Sequence, residues 1–378
     1  MIGYSTLQAP IKILMIDTER SWRGGQNQTY LLAKGLLARG QKVFFVLPKN
    51  AKAYAKFSEA GTCFEYSNSA VFGLINAVLL TLKVCKKYNI EILDCQSSRA
   101  HFIGLLTKLF KPHLKLIVHR RVDNIPSQNP FTKWKYLHPA IDRFISISNA
   151  IADVIDKYGV SRDKIEIVRS AVSPEKYLKI NKTLERERLF EFLRLDKDTV
   201  LLGNASAFTL QKGHEMLLNA LVALAKRPTK KWHCVLAGDG ELFEEIRDLA
   251  KKLNLDSQVT FLGFIEAVPE FLTGLDILVM PSQNEGLGTV ILDAIHAGAC
   301  VCATSVGGIP EIIIHEKTGL LVKNKDDAQD FCDQMRRLIE SEHLREGLVA
   351  QAKSYVQQNF SIEQMIEGNL LSYKKLLG

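Results

Sequence analysis

The run Pro281-Ser282-Gln283-Asn284-Glu285-Gly286-Leu287-Gly288-Thr289-Val290-Ile291-Leu292-Asp293 collects residue types that can hold a phosphorylated, hydroxyl-rich molecule. A short apolar strand ends at Met280, a loop carries Glu285, and a helix is predicted to begin near Gly288. The backbone N–H groups of Gly286, Leu287, Gly288 and Thr289, at a helix N-terminus, suit a phosphate. Asp293 lies eight residues after Glu285, which is about 12 Å along a helix rising about 1.5 Å per residue. Carboxylates accept hydrogen bonds from hydroxyl groups. Two acids that far apart, with an anion cradle between them, can hold both ends of a nucleotide sugar. The same run also makes an ordinary strand-loop-helix turn with an exposed glutamate, and the residue types alone leave both readings open.

Elements able to position these residues repeat along the chain. Residues 11–17, 43–47, 90–94, 116–119, 144–148 and 165–168 are continuous apolar runs, as expected of strands covered on both faces. The pattern restarts with strands predicted at 200–203, 233–237, 259–262, 277–280, 301–303 and 320–322. Helical stretches fall between them, at 29–38, 214–225 and 241–253 among others. Two successive runs of such units imply an α/β chain of two doubly wound, Rossmann-like parallel-sheet domains, with ligands at the carboxyl ends of the strands facing a central cleft. The expected domains are 1–178 and 179–360, with a C-terminal helix at about 361–378 packing back on the first. The charged, helical segment 175–198 reads as a linker region.

Composition narrows the function. A chain of 378 residues fits two domains. Its 47% hydrophobic and 24% charged residues exclude disorder, collagen and coiled coil. The net charge of +8 is unevenly spread: residues 1–178 carry 26 Lys+Arg against 13 Asp+Glu, residues 179–378 carry 23 against 28. One basic half points to an anionic partner or membrane surface, or is simply a more basic domain; without a clustered recognition helix it does not point to nucleic acid. Seven Cys, an odd number with no CxxC, argue against a disulfide framework or zinc site and for a reducing, cytoplasmic setting. No signal peptide is visible in residues 1–10. The apolar stretch 70–82 has 13 residues, with Asn76 and Thr81 inside; a membrane span needs about 20, so a buried or interfacial helix is expected. Lys133-Trp134-Lys135-Tyr136 interleaves cations with aromatics, suiting either a lipid interface or a solvated helix start.

The Pro281–Asp293 run resembles the retaining glycosyltransferases of family 4, which have the two-domain GT-B fold. Their motif is two Glu separated by seven residues, after Pro-Ser and before a small-residue helix. Other segments share the family's order and spacing: Gln211-Lys212-Gly213, Ala237-Gly238-Asp239-Gly240, Phe261-Leu262-Gly263-Phe264 and Val306-Gly307-Gly308-Ile309-Pro310-Glu311. In the first half Arg23-Gly24-Gly25-Gln26 resembles the N-terminal Gly-rich loop, and His119-Arg120-Arg121-Val122-Asp123 ends a strand at the site. The resemblance covers most of the chain. There are two departures. Asp293 stands where the family has the second Glu, and Ala207 stands where many members carry an Arg five residues before the lysine.

The resemblance implies a mechanism. Glu285 contacts the donor sugar and Asp293 the ribose. Lys212 and the N–H groups of Gly286 to Thr289 stabilise the leaving diphosphate, Gly24 and Gly25 approach the phosphates or the acceptor, and Gly263 and Phe264 lie near the base. Either His119 or Asp123 faces the donor sugar, with Arg120 or Arg121 as substitutes for the charge missing at Ala207. Transfer retains anomeric configuration by front-face attack, with no metal and no cofactor beyond the nucleotide-diphosphate sugar, a UDP-sugar favoured over a GDP-sugar. Asp196-Lys197-Asp198 reads as a loop, not a metal motif, and His101, His138 and His214 as structural. The expected acceptor is a membrane-associated or anionic molecule, such as a lipopolysaccharide core or other bacterial glycolipid, met peripherally at the inner face of the bacterial inner membrane. A sugar-nucleotide epimerase and a non-catalytic nucleotide-sugar-binding protein are the alternatives.

Overall fold

Ile13, Leu14, Met15 and Ile16 are fully buried, so nothing along this strand alternates toward water. The strand is β1 (Lys12–Ile16) of a seven-stranded sheet, in a computed structural model that describes residues 9–67 and 72–378. Along the chain it is followed by α1 (Gly24–Ala38), β2 (Lys42–Pro48), α2 (Tyr54–Ser58), β3 (Thr62–Tyr66), α3 (Gly73–Tyr88), β4 (Ile92–Cys95), α4 (Ser98–Phe110), β5 (Lys115–Arg120), α5 (Pro130–Leu137), β6 (Arg143–Ser146), α6 (Asn149–Lys157) and β7 (Ile165–Ile167). The strand order is β3-β2-β1-β4-β5-β6-β7, all parallel. Helical crossovers on both faces keep the central strands buried and mainly apolar, with Asp94 in β4 and His119 and Arg120 in β5 as exceptions. The order reverses between β1 and β4, and such a switch point opens a crevice at the carboxyl ends of the strands.

The second unit opens with α7 (Lys182–Leu193). It continues with β8 (Val200–Ala205), α8 (His214–Ala225), β9 (Trp232–Ala237), α9 (Phe243–Lys252), β10 (Val259–Gly263), α10 (Val268–Gly274) and β11 (Ile277–Met280). Then come α11 (Thr289–Ala297), β12 (Cys300–Thr304), α12 (Ile309–Ile312), β13 (Leu320–Val322), α13 (Ala328–Glu340) and α14 (Glu342–Asn359). Its six parallel strands run β10-β9-β8-β11-β12-β13, with the switch point between β8 and β11.

The two units comprise Met1–Ser170 with Ile362–Gly378, and Ala171–Ser361. The division therefore falls ahead of residue 178, and 171–198 belongs to the second unit. There α7 packs on α10 so closely that a Cβ on Gly274 would stand 2.5 Å from Leu189 Cδ1. This corrects the reading of 175–198 as a linker. The last helix, α15 (Ile362–Leu377), joins the first unit, where Arg39 donates to Glu367 at 2.6 Å and Lys375 to Glu166 at 2.9 Å.

The edge strand β3 and short helix α2 were not anticipated. β3 has Thr62 and Glu65 at the surface, so it lacks the continuous apolar run that marks the central strands. Of the stretch 70–82, residues 70 and 71 lie outside the described residues, as does most of the segment read for a signal peptide. From Gly73 onward α3 buries Ala77, Val78, Thr81, Val84 and Cys85, while Ile75 and Leu79 stay exposed. Among the described residues no helix is long and apolar enough to cross a membrane. All seven cysteines are free, and burial pushes the Cys300 thiol up to about 12.

Candidate functional site

Three loops of the second unit meet at the switch point between β8 and β11. After β8 the chain turns through Lys212 to Gly213, whose φ of +66° favours glycine. A Cβ there would stand 2.0 Å from the carbonyl oxygen of Pro281, so the two loops touch backbone to backbone. The N–H groups of Gln283 and Asn284 donate to Gln211 O at 2.8 and 3.3 Å. The third loop follows β12: Gly308 N–H donates to Glu285 O at 3.0 Å, and a Cβ on Gly307 would stand 1.8 Å from that oxygen. The loop bearing Glu285 is thus held from two sides, by 211–213 at Pro281 to Asn284 and by 307–308 at Glu285 itself. Lys212 Nζ donates to Glu285 Oε2 at 2.5 Å, with both side chains partly exposed. Directly after this pair, Gly288 (φ +85°) starts α11, with Gly286, Leu287 and Gly288 buried and Thr289 partly so. A helix start leaves its first N–H groups without intrahelical partners, so an anion beside Lys212 would also meet this positive end. An acid, a cation and a helix N-terminus therefore converge within one loop cluster.

The floor of this cluster is closely packed. Asn204 Nδ2 donates to Val279 O at 2.8 Å and Ser206 Oγ to Asn204 Oδ1 at 2.6 Å. Phe208 stacks on His214, with ring centroids 4.1 Å apart and planes at 6°. Burial, and then Lys212, lower the His214 pKa to about 4. Gly263 and Phe264 lie beside this floor: Gly238 N–H donates to Gly263 O at 2.7 Å, and the Phe264 ring is 69% exposed. Asp293, one α-helix turn and more beyond the loop, is already engaged. Tyr177 donates to its Oδ1 at 2.5 Å, and Lys176 Nζ lies 3.8 Å away. Burial raises the Asp293 pKa against both partners. Tyr177 escaped the sequence reading because 116 residues separate it from its partner.

In the first unit the predicted residues sit at the ends of β1 and β5. Gly24 and Gly25 are the first two residues of α1, and Gly25 lies against the Arg121 side chain. His119 is buried at the end of β5 with its Nε2 3.0 Å from Asp94 Oδ1, while the other Asp94 oxygen accepts from Tyr373 at 2.5 Å. Tyr373 is fully buried on α15, so the C-terminal helix helps hold the carboxylate beside His119. Neither Asp94 nor Tyr373 was singled out from sequence; a lone acid inside an apolar strand (Ile92-Leu93-Asp94-Cys95) was the signal available. Arg120 is buried and donates to Tyr136 at 3.0 Å and to Asn124, bracing the 120–124 turn. Arg121 donates to Gln96 Oε1 at 2.6 Å and to Gln96 O at 3.2 Å. Asp123 is half-buried two residues beyond.

The cavity of about 1080 Å³ lined by Tyr177, Lys182, Arg186, Asp198, Asp276 and Gly298 holds none of the residues singled out from sequence for the site. It lies at the amino ends of β8, β11 and β12, the wrong end of a doubly wound sheet for a ligand. Asp196 and Asp198 lie 2.7 and 3.8 Å from Lys231 Nζ, which uses their charge locally. Among the described residues no three His, Cys, Asp or Glu are grouped as metal ligands.

Comparison with known proteins matches both units. Residues 185–355 match the model described as Glycosyl transferases group 1, and residues 22–176 the model described as Glycosyltransferase Family 4. An uncharacterized glycosyltransferase of Methanocaldococcus jannaschii is 29% identical over 236 residues, covering 61% of this chain and 59% of that protein. The N-acetyl-alpha-D-glucosaminyl L-malate synthase of Bacillus anthracis is 28% identical over 237 residues, covering 60% and 61%. The matched region thus spans about three-fifths of the length of these relatives. The crystal structure of Anabaena HepE in complex with UDP and glucose superposes with a TM-score of 0.82 at 18% identity, covering 97% of this chain and all of that one. At that identity the likeness establishes the GT-B fold.

Proposed function

Because the chain belongs to the glycosyltransferases, with a family 4 domain at 22–176 and a group 1 domain at 185–355, we propose that it transfers a sugar from a nucleotide-diphosphate sugar to an anionic or lipid-linked acceptor. The observation that carries this reading is the Lys212–Glu285 pair at the N-terminus of α11, on the β8/β11 switch point. The leaving diphosphate gathers negative charge as the glycosidic bond breaks, and a fixed cation plus helix N–H groups favour that state over the ground state. Glu285 accepts from donor hydroxyls and orients the sugar. Its contact with Lys212 places the ammonium where a donor diphosphate would share it. A UDP-sugar is favoured over a GDP-sugar, supported by the UDP bound to a protein of the same fold. Retention by front-face attack, and freedom from metal and cofactor, follow from the family resemblance. Gly24, Gly25 and His119 stand at the corresponding strand ends of the basic first unit, which is assigned the acceptor. Peripheral contact with an anionic membrane surface fits that unit's charge.

A panel of nucleotide sugars, followed by nucleotide-diphosphate release with and without membrane lipid extract, tests the reading. Release that depends on the extract and disappears in Glu285→Ala supports transfer. Conversion of the donor to an isomer without acceptor supports the epimerase instead. Binding of every donor without release supports the non-catalytic reading, which Ala207 and the engaged Asp293 favour.

A further inference from the structure

A second cavity, of about 920 Å³, opens in the first unit and is lined by Thr18, Arg20, Ser98, Arg99, Phe102, Phe131 and Lys135 with Glu19 and Ser21. It sits where the loops after β1 and β4 diverge, which is this sheet's own switch point. Three segments far apart in sequence build it. The loops are fastened together by the Thr18 and Ser97 hydroxyls at 2.7 Å, and Ser97 also caps α4. One wall is cationic. Lys135 is only 8% exposed, and its ammonium donates to Ser98 O at 3.3 Å and Ser98 Oγ at 3.0 Å. Among the described residues neither Lys135 nor Arg99 forms an ion pair. Arg99 and Arg20 both line this wall. Glu19 is the one carboxylate of the lining, so the wall carries a net charge of two positives. The opposite wall is aromatic: Phe102 and Phe131 meet edge to face with centroids 5.0 Å apart, and Trp134 extends the surface 6.1 Å from Phe131. Phe131 is 54% exposed and Trp134 41%, so the aromatic surface is contiguous and open to solvent.

We propose that this cavity binds the acceptor by a phosphate monoester held between Arg20, Arg99 and Lys135, with an apolar part of the same molecule laid on Phe102 and Phe131. A monoester carries a charge of about −1.5 to −2, which matches the wall; a single carboxylate leaves it half neutralised. Arginine offers paired donors to two phosphate oxygens, and the buried lysine gains the counter-charge it lacks. The assignment rests on the glycosyltransferase reading only in calling the occupant an acceptor.

Calorimetric titration with three soluble probes tests it: dihexanoyl phosphatidic acid, glycerol 3-phosphate and dihexanoyl phosphatidylcholine. The phosphatidic acid is expected to bind at least about tenfold more tightly than either of the others, since it alone satisfies both walls. Arg99→Ala, at an exposed position, and Lys135→Gln are each expected to weaken it by about tenfold. Lys86→Ala, exposed on α3, is the control for charge alone. Phosphatidic acid binding that is absent, equal to that of glycerol 3-phosphate, or unchanged in both Arg99→Ala and Lys135→Gln overturns the proposal. UDP titrated into the same wild-type protein examines the donor reading separately. Loss of either signal with the other intact identifies which assignment has failed.

Discussion

Lys212 and Glu285 form a pair that matters little to stability and that the proposed transfer makes central to chemistry. Both side chains are partly exposed, so their 2.5 Å contact contributes about 1 kcal/mol or less to folding. Facing a developing diphosphate charge, the same ammonium is worth far more. Lys212→Ala is expected to lower kcat/KM for the donor by about 10²–10³ while the thermal midpoint stays within a few degrees, checked by steady-state kinetics beside a melting curve. An equal loss in both measurements would point to a folding role. His101 makes a different prediction. It is fully buried, packed edge-on to Tyr136 and Phe144, and burial lowers its pKa to about 3. In the unfolded chain it takes up a proton near its ordinary value of 6.5. Between those pH values the unfolded state binds more protons, so its stabilising contribution is lost as pH falls below 6.5. From pH 6.5 to 5 the loss is about 2 kcal/mol, and His101→Phe should flatten that part of the stability–pH curve in urea titrations.

The residues proposed to carry the chemistry lie mainly on loops, and the glycines of those loops set their geometry. Gly307 has φ +52° and no room for a Cβ against the Glu285 carbonyl. Gly307→Ala must displace either its own loop or the one bearing Glu285. The expected result is a stability loss of about 1–3 kcal/mol by chemical denaturation together with a donor-dependent rate at least about tenfold lower. A variant with normal rate would show that Glu285 is not held by this clasp. The strands and helices around these loops were legible because a buried parallel strand is apolar without interruption: Ile277-Leu278-Val279-Met280 was delimited correctly to the residue. The edge strand β3 was not, since half of its side chains meet water. The segment 175–198 read as helical, which holds for 182–193, but not as packed, because what packs on it is α10, some 80 residues later.

At the scale of the whole chain the charge follows the fold. Counted over the two units, residues 1–170 with 362–378 carry 27 Lys+Arg and 14 Asp+Glu, net +13, and residues 171–361 carry 22 and 27, net −5. Such a division favours attachment of one unit to an anionic surface. Sedimentation with phosphatidylglycerol vesicles is expected at about 10 mM salt and should be mostly abolished at about 0.5 M, where screening lengths fall to a few ångströms. Binding unaffected by salt would mean that exposed apolar groups such as Phe110 and Leu79, not charge, make the contact.

The amino-acid sequence alone determined what is written in local pattern. Continuous apolar runs specify buried parallel strands, and two series of them specify two doubly wound units. The Glu285–Asp293 spacing, Gln211-Lys212-Gly213 and the Gly-Gly turns mark the loops to which donor binding is proposed, because phosphate and sugar hydroxyls are recognised by residues a few positions apart. What only the tertiary structure decided is which distant groups meet. It brings Tyr177 onto Asp293, Tyr373 and Asp94 behind His119, and Arg20, Arg99 and Lys135 into one cavity. It also turns the Arg120 guanidinium inward to Tyr136. These pairings join residues 16 to 279 positions apart, and side-chain chemistry carries no record of such distances. They exist only because a twisted parallel sheet gathers the carboxyl ends of all its strands along one edge.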